Sequence, residues 1–588
     1  MFWSLRVIAS GFGLTFALSF TIAEKPLVAQ ATPQDTAHKG MQMPTNMPMG
    51  KKTQKKKKTT PKTTQAKKPA TGKTTTKAGK KSAPAATATK KRVAPKPMAM
   101  PMADTSHAMH GDSAHQNMPG MKMEPAPAKI DSMRMPGMPA MEMPTKAADS
   151  GSMTMSMPGM KHHSADDMMI GPAGVSMERM GSGTTWIPDA VILPSRRRML
   201  GDWMLMAHGF VFAQYDKQSG ERGDDQFGSL NWGMLMATHD FAGGRFQART
   251  MLSLDPLTVT ERGYPLLLQT GETYKGEPLH DRQHPHDFWM ELGALYQREI
   301  NKRLAWSIYA APSGEPALGP VAFMHRPSAM DNPAAPLTHH WQDATHVSFG
   351  VVTGGIYSRK WQLEGSSFNG REPDENRWNF DPIKLDSYSG RLTVNPTLHW
   401  SLAVGYGYLK SPESLNPSES MHRITASALH GTRLGVDGQW ASAFIWGTNK
   451  HSGQSDWSSG FLAESEAILD KHNTFFGRTE LVRKSAEDLV VDNPVVTRSG
   501  VVLPGFPASQ RFSVGAVQLG YVREVARTHW ATIGVGTAGT LNFIPAALEP
   551  YYGSRNPKGA FVFVRLRPFH SSRPKMRMNE MGGMKNGA

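Results

Sequence analysis

From residue 200 onward the chain alternates. In FVFVRLRPF (561–569), Val562, Val564 and Leu566 form one face, and Phe561, Phe563, Arg565, Arg567 and Phe569 the other. THWATIGVGTAGTL (528–541), HWSLAVGYGYLK (399–410) and GRFQARTMLSL (244–254) repeat the pattern. A period of two signals a strand. These runs of nine to fourteen residues exceed the roughly five or six residues of a soluble strand and suit a membrane strand. About sixteen runs are present, starting near Asp202, Phe227, Gly244, His284, Arg303, Asp343, Lys360, Ser387, His399, Ser420, Val436, Trp457, His472, Gln510, Thr528 and Lys558.

The connections alternate in length. FAGG (241–244), NKR (301–303), SRK (358–360) and NPT (395–397) are short, whereas 256–283, 312–342, 371–386 and 486–509 are long. One-sided long loops and an even strand number predict an all-β fold, an antiparallel transmembrane β-barrel over 200–569. A soluble sandwich or propeller would have shorter strands and no reason to put its long loops on one side. Both barrel ends should emerge on the short-turn side.

Before the barrel the alternation disappears. Residues 1–31 read as a secretory signal peptide, with Arg6 ahead of an apolar run that is short for a spanning helix. Residues 32–181 are low-complexity and expected to be a disordered Met/His/Lys-rich tail, because they offer little apolar surface to offset ordering entropy. The net charge of +17 matches the seventeen Lys and Arg of residues 51–100, a tract without acidic residues. The basic character therefore belongs to a tail and not to a folded nucleic-acid face. The Lys tract suits a spacer or adhesion to an anionic cell-wall polymer. The chain has no cysteine, so thiolate sites and disulfides are excluded.

Methionine changes the picture. Of 39 methionines, 24 fall between Met41 and Met180, spaced two or three apart, with MPGM recurring at Met118, Met135 and Met157. Candidate metal ligands in this tail are Met98, Met100, Met102, His107, Met109, His110, Met118, Met121, Met123, Met133, Met135, Met138, Met153, Met155, Met157, Met160, His162 and His163. Thioethers are soft, uncharged ligands that favour Cu(I) or Ag(I), and need no deprotonation; the histidines can also hold Cu(II). An oxidant sink is the alternative. Residues 570–588 form a second Met-rich tail, with Met576, Met578, Met581 and Met584.

The stretch HDRQHPHDFWMELGALY (280–296) is the densest polar cluster of the barrel region. Phe288, Met290, Leu292, Ala294 and Tyr296 are expected to face lipid; Asp287, Trp289, Glu291, Gly293, Leu295 and Gln297 the lumen. His280, His284, His286 and Asp287 are candidate metal ligands at the barrel mouth, completed by His339 and His340 from the next long loop. A polar mouth tuned for selectivity is the competing reading. A hydrolytic site is a third, without a G-x-S-x-G or H-E-x-x-H motif to support it, so no enzymatic activity is expected.

Residues 200–569 resemble porin-type outer-membrane barrels, and the last strand ending at Phe569 resembles the terminal signal read by barrel-assembly machinery, though nineteen residues follow it. The layout also resembles the outer-membrane copper resistance protein B family: a signal peptide, a tail with HAMHG and MPGM, then a barrel. That resemblance implies a Gram-negative outer-membrane protein, embedded in lipid, with periplasmic tails that bind copper and act in copper or silver tolerance. The alternatives are a porin-like channel for small solutes whose tail is a spacer, and an outer-membrane hydrolase. A TonB-dependent receptor is disfavoured because nothing ahead of the barrel reads as a globular plug.

Overall fold

The computed structural model describes residue 165 and residues 167–568. The signal peptide, the candidate ligands from Met98 to His163, the Lys tract, Phe569 and the C-terminal methionines lie outside the described residues.

Sixteen antiparallel strands close into a ring. They are β1 (Trp203–Gln218), β2 (Asp225–Phe241), β3 (Gly244–Leu252), β4 (Trp289–Asn301), β5 (Leu304–Gly314), β6 (Ser348–Tyr357), β7 (Trp361–Phe368) and β8 (Ser387–Thr397). The second half comprises β9 (Trp400–Lys410), β10 (Ser420–Leu434), β11 (Gly438–His451), β12 (Ser458–Ile468), β13 (Asn473–Ser485), β14 (Arg511–Arg527), β15 (Ala531–Phe543) and β16 (Lys558–Pro568). Each strand pairs with its sequence neighbours, and β16 pairs back onto β1, with Leu566 opposite Val211. A short strand, Arg196–Leu200, continues along the same edge of β1, with Arg196 opposite Ala207. The last stave is therefore built in two pieces.

Alternation sorts the side chains. On β16, Val562 and Val564 face outward while Phe561, Phe563 and Arg565 are buried inside. On β14, Leu519 is 70% exposed and its neighbour Gln518 is buried. Exposed aromatics gather at both ends of the wall. Trp203, Phe241, Trp400, Trp440, Phe475 and Trp530 sit near the short turns; Phe227, Tyr388, Trp457 and Phe543 sit near the long loops. Apolar staves between two aromatic girdles are the outer surface of a lipid-embedded barrel. Inside, the wall carries buried charge, which is tolerated because it is paired. Arg391 and Glu364 meet at 2.9 Å, as do Arg478 and Glu464.

Two sequence expectations need correction. The strands expected from His284 and Asp343 begin later, at Trp289 and Ser348, because the chain before each is buried loop folded toward the barrel interior. On β4 the expected faces hold from Glu291 onward: Leu292 is exposed and Leu295 is buried. At the start of β4 they fail. Met251 pairs with Glu291 but Leu252 pairs with Trp289, so Met290 is an extra residue in a bulge. The bulge turns Met290 inward, where it is 2% exposed, and leaves Trp289 stacked on Phe380 at the rim.

Candidate functional site in the barrel lumen

Three segments fill the lumen. The loop between β5 and β6 (315–347) folds inward, and its residues are buried except for partly buried His340 and His346. Ion pairs tie it to the wall. Arg326 reaches Glu464 of β12 at 2.5 Å and Asp343 of its own loop at 3.3 Å. Asp331 pairs with Arg565 of β16. Asn332 donates to Gln518 of β14 at 2.6 Å. Gly319 holds φ +85° at the tight approach of this loop to itself; a Cβ there would sit 2.3 Å from the carbonyl oxygen of Gln342.

The second segment is 167–195, which enters at the short-turn end. Three single-turn helices, Asp167–Met169, Pro172–Gly174 and Met177–Arg179, carry it inward. It is fastened by wall side chains: Asn395 donates to the Ile187 carbonyl at 3.0 Å, Ser401 to that of Trp186 at 3.1 Å, and Arg245 to that of Met168 at 2.5 Å. Part of the stretch expected as tail (167–181) is thus packed inside the barrel. Among the described residues ahead of the barrel, a short segment occupies its base. Composition alone could not distinguish the two, since residues 167–181 are Met- and Gly-rich, as stretches of the tail before them are.

The third segment is the hairpin Tyr264–Tyr274 and Glu277–Gln283 in the loop between β3 and β4. It leads into the 280–287 stretch. Each polar residue of that stretch has its own partner. His280 Nδ1 lies 2.9 Å from Asp281, which Arg222 also binds at 2.6 Å. His284 faces Glu272 at 3.4 Å, and His286 faces Asp255 at 2.8 Å. Asp287 pairs with Arg377 at 3.2 Å. From the inward loop, His339 bonds Asp343 at 2.8 Å and His340 bonds Glu372 at 3.2 Å.

The six candidates therefore do not form one ligand shell. Among the described residues, no group of three or more His, Asp or Glu side chains is arranged to hold a metal ion. The imidazoles form a file instead. Ring centroids run from His284 to His340 (6.1 Å), His339 (5.4 Å), His346 (5.1 Å) and His286 (5.5 Å). His280 stands apart at the hairpin. His346, absent from the sequence candidates, is central to the file; it was hidden because a strand was expected from Asp343.

Burial sets the charge of these loops. It lowers His340 to about 4 and His346 to about 3, and lowers His339 and His284 despite their carboxylate partners. Burial pushes Asp287 up to about 7, with Arg377 opposing. For Asp343 burial acts upward, but His339 and Arg326 more than offset it and hold the carboxyl below its ordinary range. At neutral pH His284, His339, His340 and His346 are therefore uncharged imidazoles, each with one ring nitrogen able to accept a hydrogen bond.

Deeper in the lumen lies a pocket of about 20 Å³ lined by Met251, Met290, Met324, His325 and His346, with Ser182, Gly183, Glu291, Glu315 and Ala322. Its sulfur-bearing residues were missed from sequence because each sits alone in its own strand or loop. The bulge at Met290 leaves no trace in the alternation.

No family model matches the chain, and no curated protein matches it. Among solved structures, the chain is similar to an OmpF from Salmonella typhi in complex with daunomycin (7% identity, TM-score 0.38, covering 63% of this chain and 99% of that one). It is also similar to an anion-selective porin from Comamonas acidovorans (10% identity, TM-score 0.36, 62% and 99%) and to OprB from Pseudomonas putida (10% identity, TM-score 0.36, 62% and 94%).

Proposed function

We propose that this chain is a porin-type barrel of a Gram-negative outer membrane that passes small solutes, and that the described conformation is its closed form. The observation that carries the reading is the closed ring of sixteen strands with an apolar, girdled exterior and a charged interior. A lumen lined by Arg and Glu selects hydrated polar solutes. The segment 167–195 completes the blockage of a lumen that the loop 315–347 only narrows, so conduction requires the segment to leave. The barrel would reach the membrane through the barrel-assembly machinery, and the role is transport without a catalytic step.

The test is single-channel conductance of the full chain in planar bilayers against a variant lacking residues 167–192. The expected result is rare openings for the full chain and sustained ones for the deletion. Silent bilayers for both proteins, each shown to be folded, would refute a solute pathway.

A second reading is copper or silver tolerance through the Met/His tails. One feature among the described residues favours it. Met168, Met169, Met177 and Met204 form a buried apolar cluster with Met180 and Met199 packed against it, with methionine its only hydrophobic residue type. Copper challenge of a deletion strain complemented with the full chain or with a Met-to-Leu tail tests that reading separately.

A further inference from the structure

We propose that the lumen of this barrel holds a binding site for one soft monovalent d10 cation, Cu(I) or Ag(I), seated among Met251, Met290, Met324, His325 and His346 and entered from the short-turn end through the methionine cluster.

Four observations carry it. The first is convergence. The five residues come from β3, from the bulge of β4, from the single-turn helix Phe323–His325 and from the end of the inward loop, and they line one pocket. At about 20 Å³ it has room for one atom-sized guest. The second is unmet bonding. His325 Nδ1 and His346 Nε2 are buried and have no hydrogen-bond partner, and the His325 residue is 2% exposed. Buried polar atoms are normally satisfied, so these two nitrogens call for a guest. The third is the bulge itself. A regular β4 would point Met290 at lipid; the extra residue turns it inward, where it is buried and lines the pocket. Bulges recur where a side chain must be re-aimed at a site.

The fourth is the choice of methionine. Met loses more rotamer freedom on burial than Leu or Ile, so a cluster built only of Met is a poor solution to packing alone. Thioether and neutral imidazole are soft or borderline donors that suit Cu(I) and Ag(I) and discriminate against Mg(II) and Ca(II). The methionine cluster adjoins the pocket: Met180 Sδ lies 3.2 Å from Arg249, and Arg249 donates to the carbonyl of Gly183, which lines the pocket. The Arg249 charge is offset by Glu291 at 3.6 Å, and Glu315 also borders the pocket.

The inference depends neither on conduction nor on metal binding by the tails. The experiment is methyl NMR of the full chain in lipid nanodiscs, with methionine methyls carbon-13 labelled, titrated with Ag(I) as a redox-inert probe. Met251→Leu, Met290→Leu and Met324→Leu, which roughly conserve volume, assign the three lumen signals. The expected result is that the three lumen methyls shift together along one single-site curve, and that Met290→Leu raises half-saturation of the other two at least about tenfold. If Met290→Leu does not fold, Met324→Leu and His346→Gln replace it, since both lie in the loop and leave the wall intact. Shifts confined to other methionines, with the three lumen methyls unmoved, would mean that the pocket holds only water and would overturn the proposal, while leaving copper binding by the tails standing. Lumen shifts indifferent to Met290→Leu would overturn it equally.

Discussion

Removing the Arg326 side chain tests whether the inward loop is held by its ion pairs. Arg326 is fully buried, with Glu464 at 2.5 Å, Asp343 at 3.3 Å and the Val321 carbonyl at 3.1 Å. Breaking one partner of a buried pair costs about 3–5 kcal/mol. Here the lower end applies, because both carboxylates keep other partners after Arg326→Met. Glu464 retains Arg478 at 2.9 Å and Ser328 at 2.9 Å; Asp343 retains His339 at 2.8 Å and the Phe323 amide at 3.0 Å. A loss of about 3 kcal/mol raises the open population of the loop about 150-fold. Chymotrypsin cleavage at Phe323 and Trp341 reads that population when reclosing is faster than cutting. The expected result is a rise of about two orders of magnitude in the cleavage rate, with the barrel itself still intact by its heat-modifiable gel mobility. An unchanged rate in a folded Arg326→Met barrel would refute the argument and leave apolar packing around Phe323 and Trp341 as the restraint.

Three further outcomes follow from the same geometry. His340 and His346 have pKa values lowered to about 4 and about 3, so the folded loops bind fewer protons than the unfolded chain. Their contribution is full above about pH 6.5 and declines as the pH falls toward those values, by at most about 1.4 kcal/mol per pH unit per histidine. Urea titrations between pH 8 and pH 4.5 should show this decline blunted in His340→Gln/His346→Gln; equal slopes would contradict it. Leu519→Arg places a charge mid-strand on the lipid face and should cost about 2–4 kcal/mol of barrel stability in vesicles, whereas a soluble barrel would tolerate it. Gly263→Ala should unseat the histidine-bearing hairpin, since Gly263 holds φ +70° and a Cβ would lie 1.7 Å from the Gln283 carbonyl oxygen. A lowered melting transition and faster proteolysis at 264–283 are expected, and wild-type behaviour would show that the hairpin is not fixed there.

The wall was legible in the sequence because its physics is local. Lipid outside and water or charge inside impose a period of two on every strand, and all sixteen observed starts fall within five residues of those read from alternation. The largest errors, at β4 and β6, follow the two loops whose buried residues look like strand. What fills the barrel was not legible. Residues 167–181 are Met- and Gly-rich like stretches of the tail before them, and it is partners such as Arg245, Asn395 and Ser401 that reveal that the segment they begin belongs inside. The histidines at 280–287 stood out as a cluster in sequence, yet in space each is bonded to a different carboxylate. The pocket residues show the reverse: Met251, Met290, Met324 and His346 are scattered along the chain and meet only through long-range closure.

The two-piece stave has a mechanical consequence. Leu566 is opposite Val211 and Arg196 is opposite Ala207, so this edge of β1 is held by two separate pieces, one toward each end of the barrel. Pro568, which ends β16, has no amide hydrogen to extend the ladder. Fluctuations that unzip a closed cylinder begin where one ladder hands over to another and a donor is missing, so the amides where the two pieces meet should be among the earliest in the wall to exchange with solvent, and lateral strain on the cylinder concentrates along this one line.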